Sequence, residues 1–291
     1  MKKKNNNLRI FNGIFILLLT IFGTFLYYNK PSTSNIENGN LQVYFIDVGQ
    51  ADAIMIKEND KYALIDAGNN NDGNLLVDYF KKLGITDFEY VFGTHPHEDH
   101  IGGMDDIIDN FNIDNFYMPN VITTTKTFED VLDALDEKNV ELNTPTIGEK
   151  FNLGNAIFEV MYVGEDDNDL NNTSIVLKLT YGDNKYLFMG DATDIVEENI
   201  INSNIEADVI KIGHHGSKYS TTENFINKVN PKYAVISVGK DNSYGHPSNK
   251  TINLLEKNNI QIYRTDLEGT IISTSDGKTI NFRTEKTNTD G

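Results

Sequence analysis

Tyr90-Val91-Phe92-Gly93-Thr94-His95-Pro96-His97-Glu98-Asp99-His100-Ile101-Gly102-Gly103 is the stretch on which the fold and the chemistry turn. Its first residues, YVFGT, are apolar and β-branched or aromatic, as expected of a short buried strand. The strand runs straight into four potential metal ligands, His95, His97, Asp99 and His100, within six residues. In a loop, alternate side chains at 95 and 97 can converge on one ion, while Asp99 and His100 point to a neighbouring position. Imidazole and carboxylate suit zinc, or manganese or iron in less soft surroundings. Ile101-Gly102-Gly103 then lets the chain turn tightly into a helix.

The remaining histidines repeat the pattern. The chain has six; those outside the loop are the pair His214-His215 and His246. Both places follow an apolar run and sit beside glycine, in VIKIGHHGS and VISVGKDNSYGHP. Histidines used for packing would not all fall at strand ends, whereas α/β folds gather their sites in loops at one sheet edge. Asp191 follows the apolar run YLFMG and is placed to emerge at the same edge; a turn-capping role is the alternative. Asp66, in YALIDAG, and Asp47, in FIDVGQADA, are candidates to orient the ligand loop through hydrogen bonds, with a plain turn-residue role as the alternative for each.

Outward from these motifs, the chain alternates short apolar runs with amphipathic stretches. LQVYFIDV, AIMIK and YALIDAG read as strands, LLVDYFKKLG as a helix closed by Gly84, and TFEDVLDALDEKN as another helix. SIVLKLTYGDNKYLFMGD reads as a hairpin about Gly182-Asp183. Helices and strands then alternate to QIYRT, GTIISTS and KTINFRT, which read as closing strands. Strand clusters at both ends of an alternating middle predict an α/β fold with mixed sheets and outer helices. The domain boundaries expected are 41–284 for this fold and 285–291 for a disordered tail.

The first 28 residues carry a different signal. Met1–Arg9 is polar and basic, and an apolar run follows from Ile10 to about Tyr28. That length is close to the roughly 20 residues of a membrane-crossing helix. Cations ahead of it predict a cytoplasmic N-terminus and an extracytoplasmic domain. We expect an uncleaved signal anchor, with a cleaved signal peptide and secretion as the alternative, and residues 29–40 as a linker. The chain holds no cysteine, which excludes disulfides, a cysteine zinc site and a thiol nucleophile. The formal net charge is −18. All cations and no acids of the first 34 positions lie on one side of that balance, so the domain itself is more acidic still. Such a surface repels polyanions at long range and argues against loose nucleic-acid binding, although bound cations reverse the sign locally.

HPHEDH matches the H-x-H-x-D-H signature of the metallo-β-lactamase superfamily. FIDVGQADA, LIDAG, THPHEDHIGG, NNTSIVLKL, FMGDA, KIGHHGS and SYGHPS, in this order, resemble the hydrolase domain of ComEC-type DNA-uptake proteins, over about Leu41 to Arg283. The resemblance implies an αββα sandwich with two divalent metal ions, Zn or Mn, at one edge. By position, His95 and His97 bind the first metal and Asp99 and His100 the second. Asp191 bridges them, and His215 completes the second site. His214 and His246 are implied as substrate contacts that act in catalysis together with Asp99. Asn172, Ser217 and Tyr244, in the flanking motifs, are implied as substrate-binding residues.

The chain departs from the superfamily pattern at Asn171-Asn172-Thr173-Ser174, where many members carry a further histidine. The first metal is therefore expected to be under-coordinated, weakly held or other than zinc. A second departure, Ala51 in place of the family's usual glycine, predicts only a local change of turn. The expected reaction is hydrolysis of a phosphodiester, in nucleic acid or in a small or cell-surface phosphoester. The competing readings are hydrolysis of a carboxylic ester or amide, β-lactams included, and a non-catalytic metal-stabilised module.

Overall fold

The computed structural model describes residues 41–165 and 169–286. The expected anchor and linker, and residues 287–291 of the expected tail, lie outside the described residues. Among the described residues no helix is long and apolar enough to cross a membrane.

Two sheets face each other. The first contains β1 (Leu41–Phe45), β2 (Ala53–Glu58), β3 (Lys61–Ala67), β5 (Tyr90–Phe92), β7 (Phe116–Tyr117), β8 (Leu142–Asn143), β16 (Ile271–Ser275) and β17 (Ile280–Thr284), in the order β17-β16-β1-β2-β3-β5-β7-β8. The second contains β9 (Lys150–Leu153), β10 (Ala156–Tyr162), β11 (Val176–Tyr181), β12 (Asn184–Phe188), β13 (Val209–Lys211), β14 (Tyr233–Ile236) and β15 (Gln261–Arg264), in the order β15-β14-β13-β12-β11-β10-β9. A small separate pair joins β4 (Asp87–Phe88) to β6 (Asn112–Ile113).

Side-chain alternation on each strand explains the layering. Leu41, Val43 and Phe45 of β1, with Ile54, Ile56, Ala63 and Ile65, face Leu177, Leu179, Tyr186 and Phe188 of the other sheet in one buried core. The intervening residues, Tyr44, Met55 and Leu64, face outward under helices Gly73–Lys82, Met104–Asn110 and Lys126–Lys138. Leu187 and Ile210 do the same on the second sheet under Asp194–Ile200, Glu223–Val229 and Asn249–Lys257. Strands covered on both faces read as unbroken apolar runs, which is why AIMI of β2 and YAVI of β14 show no polar alternation. The helices carry the matching stripe. In Lys126–Lys138 the buried residues include Phe128, Val131, Ala134 and Leu135, and Thr125 caps its start by accepting from Phe128 N. The αββα expectation therefore holds.

Two differences from the sequence reading appear. Residues 150–162 form the hairpin β9–β10 about Gly154-Asn155, which the sequence reading did not include. Glu285 is not the start of a loose tail: its N–H donates to Thr270 O, and Lys286 N–H donates to Glu268 O.

Direction of the strands decides where chemistry can gather. β3, β5, β7 and β8 are mutually parallel, and so are β12, β13, β14 and β15. The carboxyl ends of these strands carry the histidine and aspartate loops to one edge of the sandwich. Phe92 anchors the most important of them. It is fully buried and its ring meets those of Tyr90, Tyr117, Phe151 and Phe158, so it ties β5 to the opposite sheet just before His95. Phe92→Ala is expected to cost about 3–5 kcal/mol, read from urea unfolding. A loss below about 1 kcal/mol, the scale of an ordinary substitution, would show that the site is anchored elsewhere.

Candidate metal centre

Gly102 and Gly103 set the loop against the end of β3. Their φ values, −59° and −96°, are open to any residue, so the turn itself does not need glycine. Space does. A Cβ on Gly102 would lie 2.2 Å from Asn70 N, and one on Gly103 2.6 Å from Ala67 O. The short helix Glu98–Ile101 is thereby pressed onto the strand end that carries Asp66.

Asp66 holds the base of the loop. Its carboxylate accepts from Thr94 N and Thr94 Oγ1, both at 2.8 Å, and meets His100 Nδ1 at 2.8 Å. The other nitrogen of His100 is thereby turned to Asp191 Oδ1, 3.2 Å away. His95 Nε2 and His97 Nδ1 lie 3.0 Å apart, and the rings of His95 and His100 are 4.1 Å apart. From the second sheet come Asp191, after β12, and His215, after β13. His215 Nδ1 meets Ser237 O at 2.9 Å, which leaves Nε2 to face Asp99 Oδ2 at 3.3 Å and Asp191 Oδ1 at 3.7 Å.

One ligand atom from each of Asp99, His100, Asp191 and His215 fits within a 4.8 Å span. These are the four residues expected at the second metal position. His100 Nε2 and Asp191 Oδ1 are buried there without a hydrogen bond, as metal-facing atoms would be when the protein alone is considered. Two imidazoles and two carboxylates form a suitable donor set for a divalent cation.

Electrostatics favours positive charge at this point. Burial opposes a proton on His100, but Asp191 and Asp66 outweigh it and hold its pKa well above the usual range. Burial likewise opposes Asp191, and His100 and His215 outweigh it, holding the carboxyl ionised. His95 behaves differently. Burial, reinforced by His100, pushes its pKa well down and leaves a neutral imidazole, the form that binds metal.

The backbone at His214 and His215 is unusual. Both have positive φ, 50° and 52°, ahead of Gly216 at 80°. Left-handed non-glycine residues cost energy and cluster where function requires them. Here the turn separates the two rings: His215 is buried under Ser237, whereas His214 reaches the cleft with Nε2 3.7 Å from Asp191 Oδ2. His246 lies opposite, its ring 5.6 Å from that of His214 and stacked with exposed Tyr244 at 5.9 Å. The open cleft of about 460 Å³ is lined by His97, Asp99, Asn171, Asp191, His214, His215, Tyr244 and His246, together with Gln50, Asn69 and Glu98.

Three sequence expectations are placed elsewhere. Asp47 turns away from the cleft to Lys286, with Lys286 Nζ donating to its Oδ2 at 2.9 Å. Asn172 is buried and its Oδ1 accepts from Thr193 Oγ1; it is Asn171 that lines the cleft. Ser217 is also buried, and its Oγ accepts from Tyr219 N.

The carboxylate missed in the sequence is Asp52. It is 1% exposed, and fully buried Lys211 donates to its Oδ2 at 2.7 Å and to Ile212 O at 3.1 Å. Asp52 Oδ1 lies 3.5 Å from His215 Nδ1. Its backbone N–H donates to Asp99 O and its carbonyl accepts from Gly68 N. Nothing in FIDVGQADA marks the second aspartate above the first, because both flank the same turn.

Residues 46–240 match the metallo-beta-lactamase superfamily, and with the site just described the chain belongs to that superfamily. It is similar to ComE operon protein 3 of Bacillus subtilis, 31% identical over 79% of this chain and 32% of that protein. It is also similar to Recombination protein 2 of Haemophilus influenzae, 29% identical over 92% of this chain and 31% of that protein. Over 118 residues, 39% of this chain and 17% of the other, it is 36% identical to Competence protein ComA of Neisseria gonorrhoeae. The chain spans about a third of the length of the first two. Among solved structures it shares its fold with YhfI of Bacillus subtilis (TM-score 0.59, 10% identity, 81% of this chain and 100% of that one). It shares it also with the diiron β-hydroxylase CmlA of Streptomyces venezuelae (TM-score 0.55, 13% identity, 82% and 54%).

Breaking a buried ion pair from one side strands the other charge. Lys211→Met is expected to cost about 3–5 kcal/mol, and adding Asp52→Leu to recover a large part of it. Denaturant unfolding of both variants measures this. Equal losses in the single and double variants would mean that the pair does not act as a unit.

Proposed function

We propose that this domain is a metal-dependent phosphodiesterase with a two-cation centre. The observation that carries the reading is the joint position of two groups. The ligands Asp99, His100, Asp191 and His215, all but Asp99 buried, adjoin His95 and His97, and two further imidazoles, His214 and His246, line the same cleft. His214 Nδ1 and His246 Nδ1 are buried without partners, so neither ring is held through that nitrogen by a hydrogen bond to the protein. When bound, divalent cations supply Lewis acidity and allow water to act as a nucleophile near neutral pH.

The protein's own residues supply the rest. Asp99 and Asp191 fix the ligand geometry and present carboxylate oxygens that accept a proton from, and orient, an attacking water. His214 and His246 direct N–H donors toward the oxygens of a tetrahedral or phosphoryl group, where charge grows in the transition state. Burial, with His214 and His215 nearby, lowers the pKa of His246, so it acts as a neutral donor. Tyr244, stacked on His246, supports that ring and offers a flat face beside the reacting group. Similarity to competence proteins favours a nucleic-acid or nucleotide phosphodiester among the candidate substrates. The basic, apolar N-terminal segment supports a signal anchor with the domain outside the membrane.

The full-length chain loaded separately with zinc and with manganese should hydrolyse bis-p-nitrophenyl phosphate or plasmid DNA in preference to nitrocefin. Activity should be lost on chelation and in Asp191→Ala. His246→Ala should lower kcat by about 10²–10³, the effect of removing one transition-state donor. Turnover of nitrocefin alone would replace the phosphodiester reading with amide hydrolysis, and bound metal without turnover of any of the three would favour a binding module.

Deleting residues 1–28 should release the chain from the membrane fraction into the soluble one. A full-length chain that already fractionates as soluble, at its uncleaved mass, would refute the anchor.

A further inference from the structure

The His95–His97 position has two protein ligands of its own, and the superfamily's usual histidine is missing from the segment at 171–174. That segment nevertheless belongs to the site. Ile175 N donates to Thr94 O at 2.9 Å, which ties it to the residue immediately before His95. Gly164 N donates to Thr173 O, and Asp169 Oδ1 accepts from Asn171 N, fixing the 3-10 turn Leu170–Thr173.

Within the turn and its C-cap residue Ser174, all polar side chains but one are committed. Asn172 Oδ1 accepts from Thr193, Thr173 Oγ1 donates to Leu170 O, and Ser174 Oγ accepts from Asp191 N. The exception is Asn171. Its Oδ1 is buried and has no hydrogen-bond partner, and the residue lines the cleft with His97 and Asp191. A buried amide oxygen left unpaired costs free energy unless something meets it.

We infer that Asn171 Oδ1 is the third protein donor belonging to the His95–His97 cation position alone, beside the bridging Asp191, taking the place of the absent histidine. The inference rests on the two-cation reading above. A neutral amide oxygen is a harder and weaker donor than imidazole, and carbonyl oxygens suit harder cations than zinc. The two positions are therefore unequal. The set with Asp99, His100, Asp191 and His215 fills first and tightly. The set with His95, His97 and Asn171 fills second and discriminates less in favour of zinc.

Metal binding tests this without reference to turnover. Zinc is titrated into the metal-free full-length chain by calorimetry, with metal content measured after dialysis and a thermal melt run on each variant. The wild type should show one tight and one weak event. Asn171→His should tighten the weak event by at least about tenfold, the scale on which even supporting groups around a metal act. Asn171→Asp, which keeps the side chain's shape and adds charge, should also tighten it. Asn171→Ala should weaken or abolish that event and leave the tight one in place. A weak event unchanged in all three variants, with a tight event intact, overturns the role of Asn171 while leaving the metal centre standing. No zinc binding by the folded wild type overturns both.

Discussion

The ion pair between Lys211 and Asp52 is the constraint on which the rest of the site depends. Lys211 ends a strand of one sheet, and Asp52 precedes a strand of the other. Both are buried, so each charge has given up its water and depends on the other. The pair thereby fixes the edges of the two sheets relative to each other at the point where ligands from both must meet. His95, His97, Asp99 and His100 come from the first sheet; Asp191 and His215 come from the second. A slip of one sheet would leave the buried charges unpaired before it separated the ligands. Asp52 adds to this with its backbone, which bonds to Asp99 and Gly68, so one residue touches the ligand loop, the end of β3 and the cation beneath His215.

Backbone strain accumulates at the same edge. Asp66, His214 and His215 all have positive φ, and all three end or follow strands that point at the cleft. The strain is held by specific bonds: Thr94 and His100 to Asp66, Ser237 O to His215. A continuous strand would send neighbouring side chains to opposite faces. The left-handed turn lets His214 and His215 serve the same cleft at different depths.

Much of this was legible in the sequence, and the limits have physical causes. HPHEDH after a buried strand, and histidines after each of two later strands, placed the ligand loops correctly because strand ends in parallel sheets share an edge. Asp66 was legible for the same reason. Asp47 reads in the place of Asp52 because only four residues of tight turn separate them, and only the fold decides which one turns inward. Asn172 was taken for Asn171 because a 3-10 turn sends adjacent residues in different directions. Ser217 looked available beside HHG, yet its hydroxyl closes the turn to Tyr219. The β9–β10 hairpin escaped because FNLGNAIFEV alternates weakly: Ile157 is exposed while Phe158 is buried. The roles of Gly102 and Gly103 were also misread in kind, since they meet a neighbouring backbone rather than free a torsion.

The charge balance bears on how an anionic substrate could be admitted. The chain is strongly acidic, and among the described residues those lining the cleft include Glu98, Asp99 and Asp191 but neither lysine nor arginine. Lys211, at the end of β13, is buried and engaged with Asp52. Of the imidazoles, His95 and His246 are held toward the neutral form, and His100, held toward the charged form, is already engaged with Asp66 and Asp191. For a phosphodiester to enter, the compensating charge has to come with the metal ions. Attraction then reaches about 8–10 Å from a loaded centre, because solvent ions screen charges farther apart. On the proposed two-cation reading, a cleft lined by acids and imidazoles depends on its cations to hold a phosphate. If the proposed function holds, the cations serve recognition as much as chemistry.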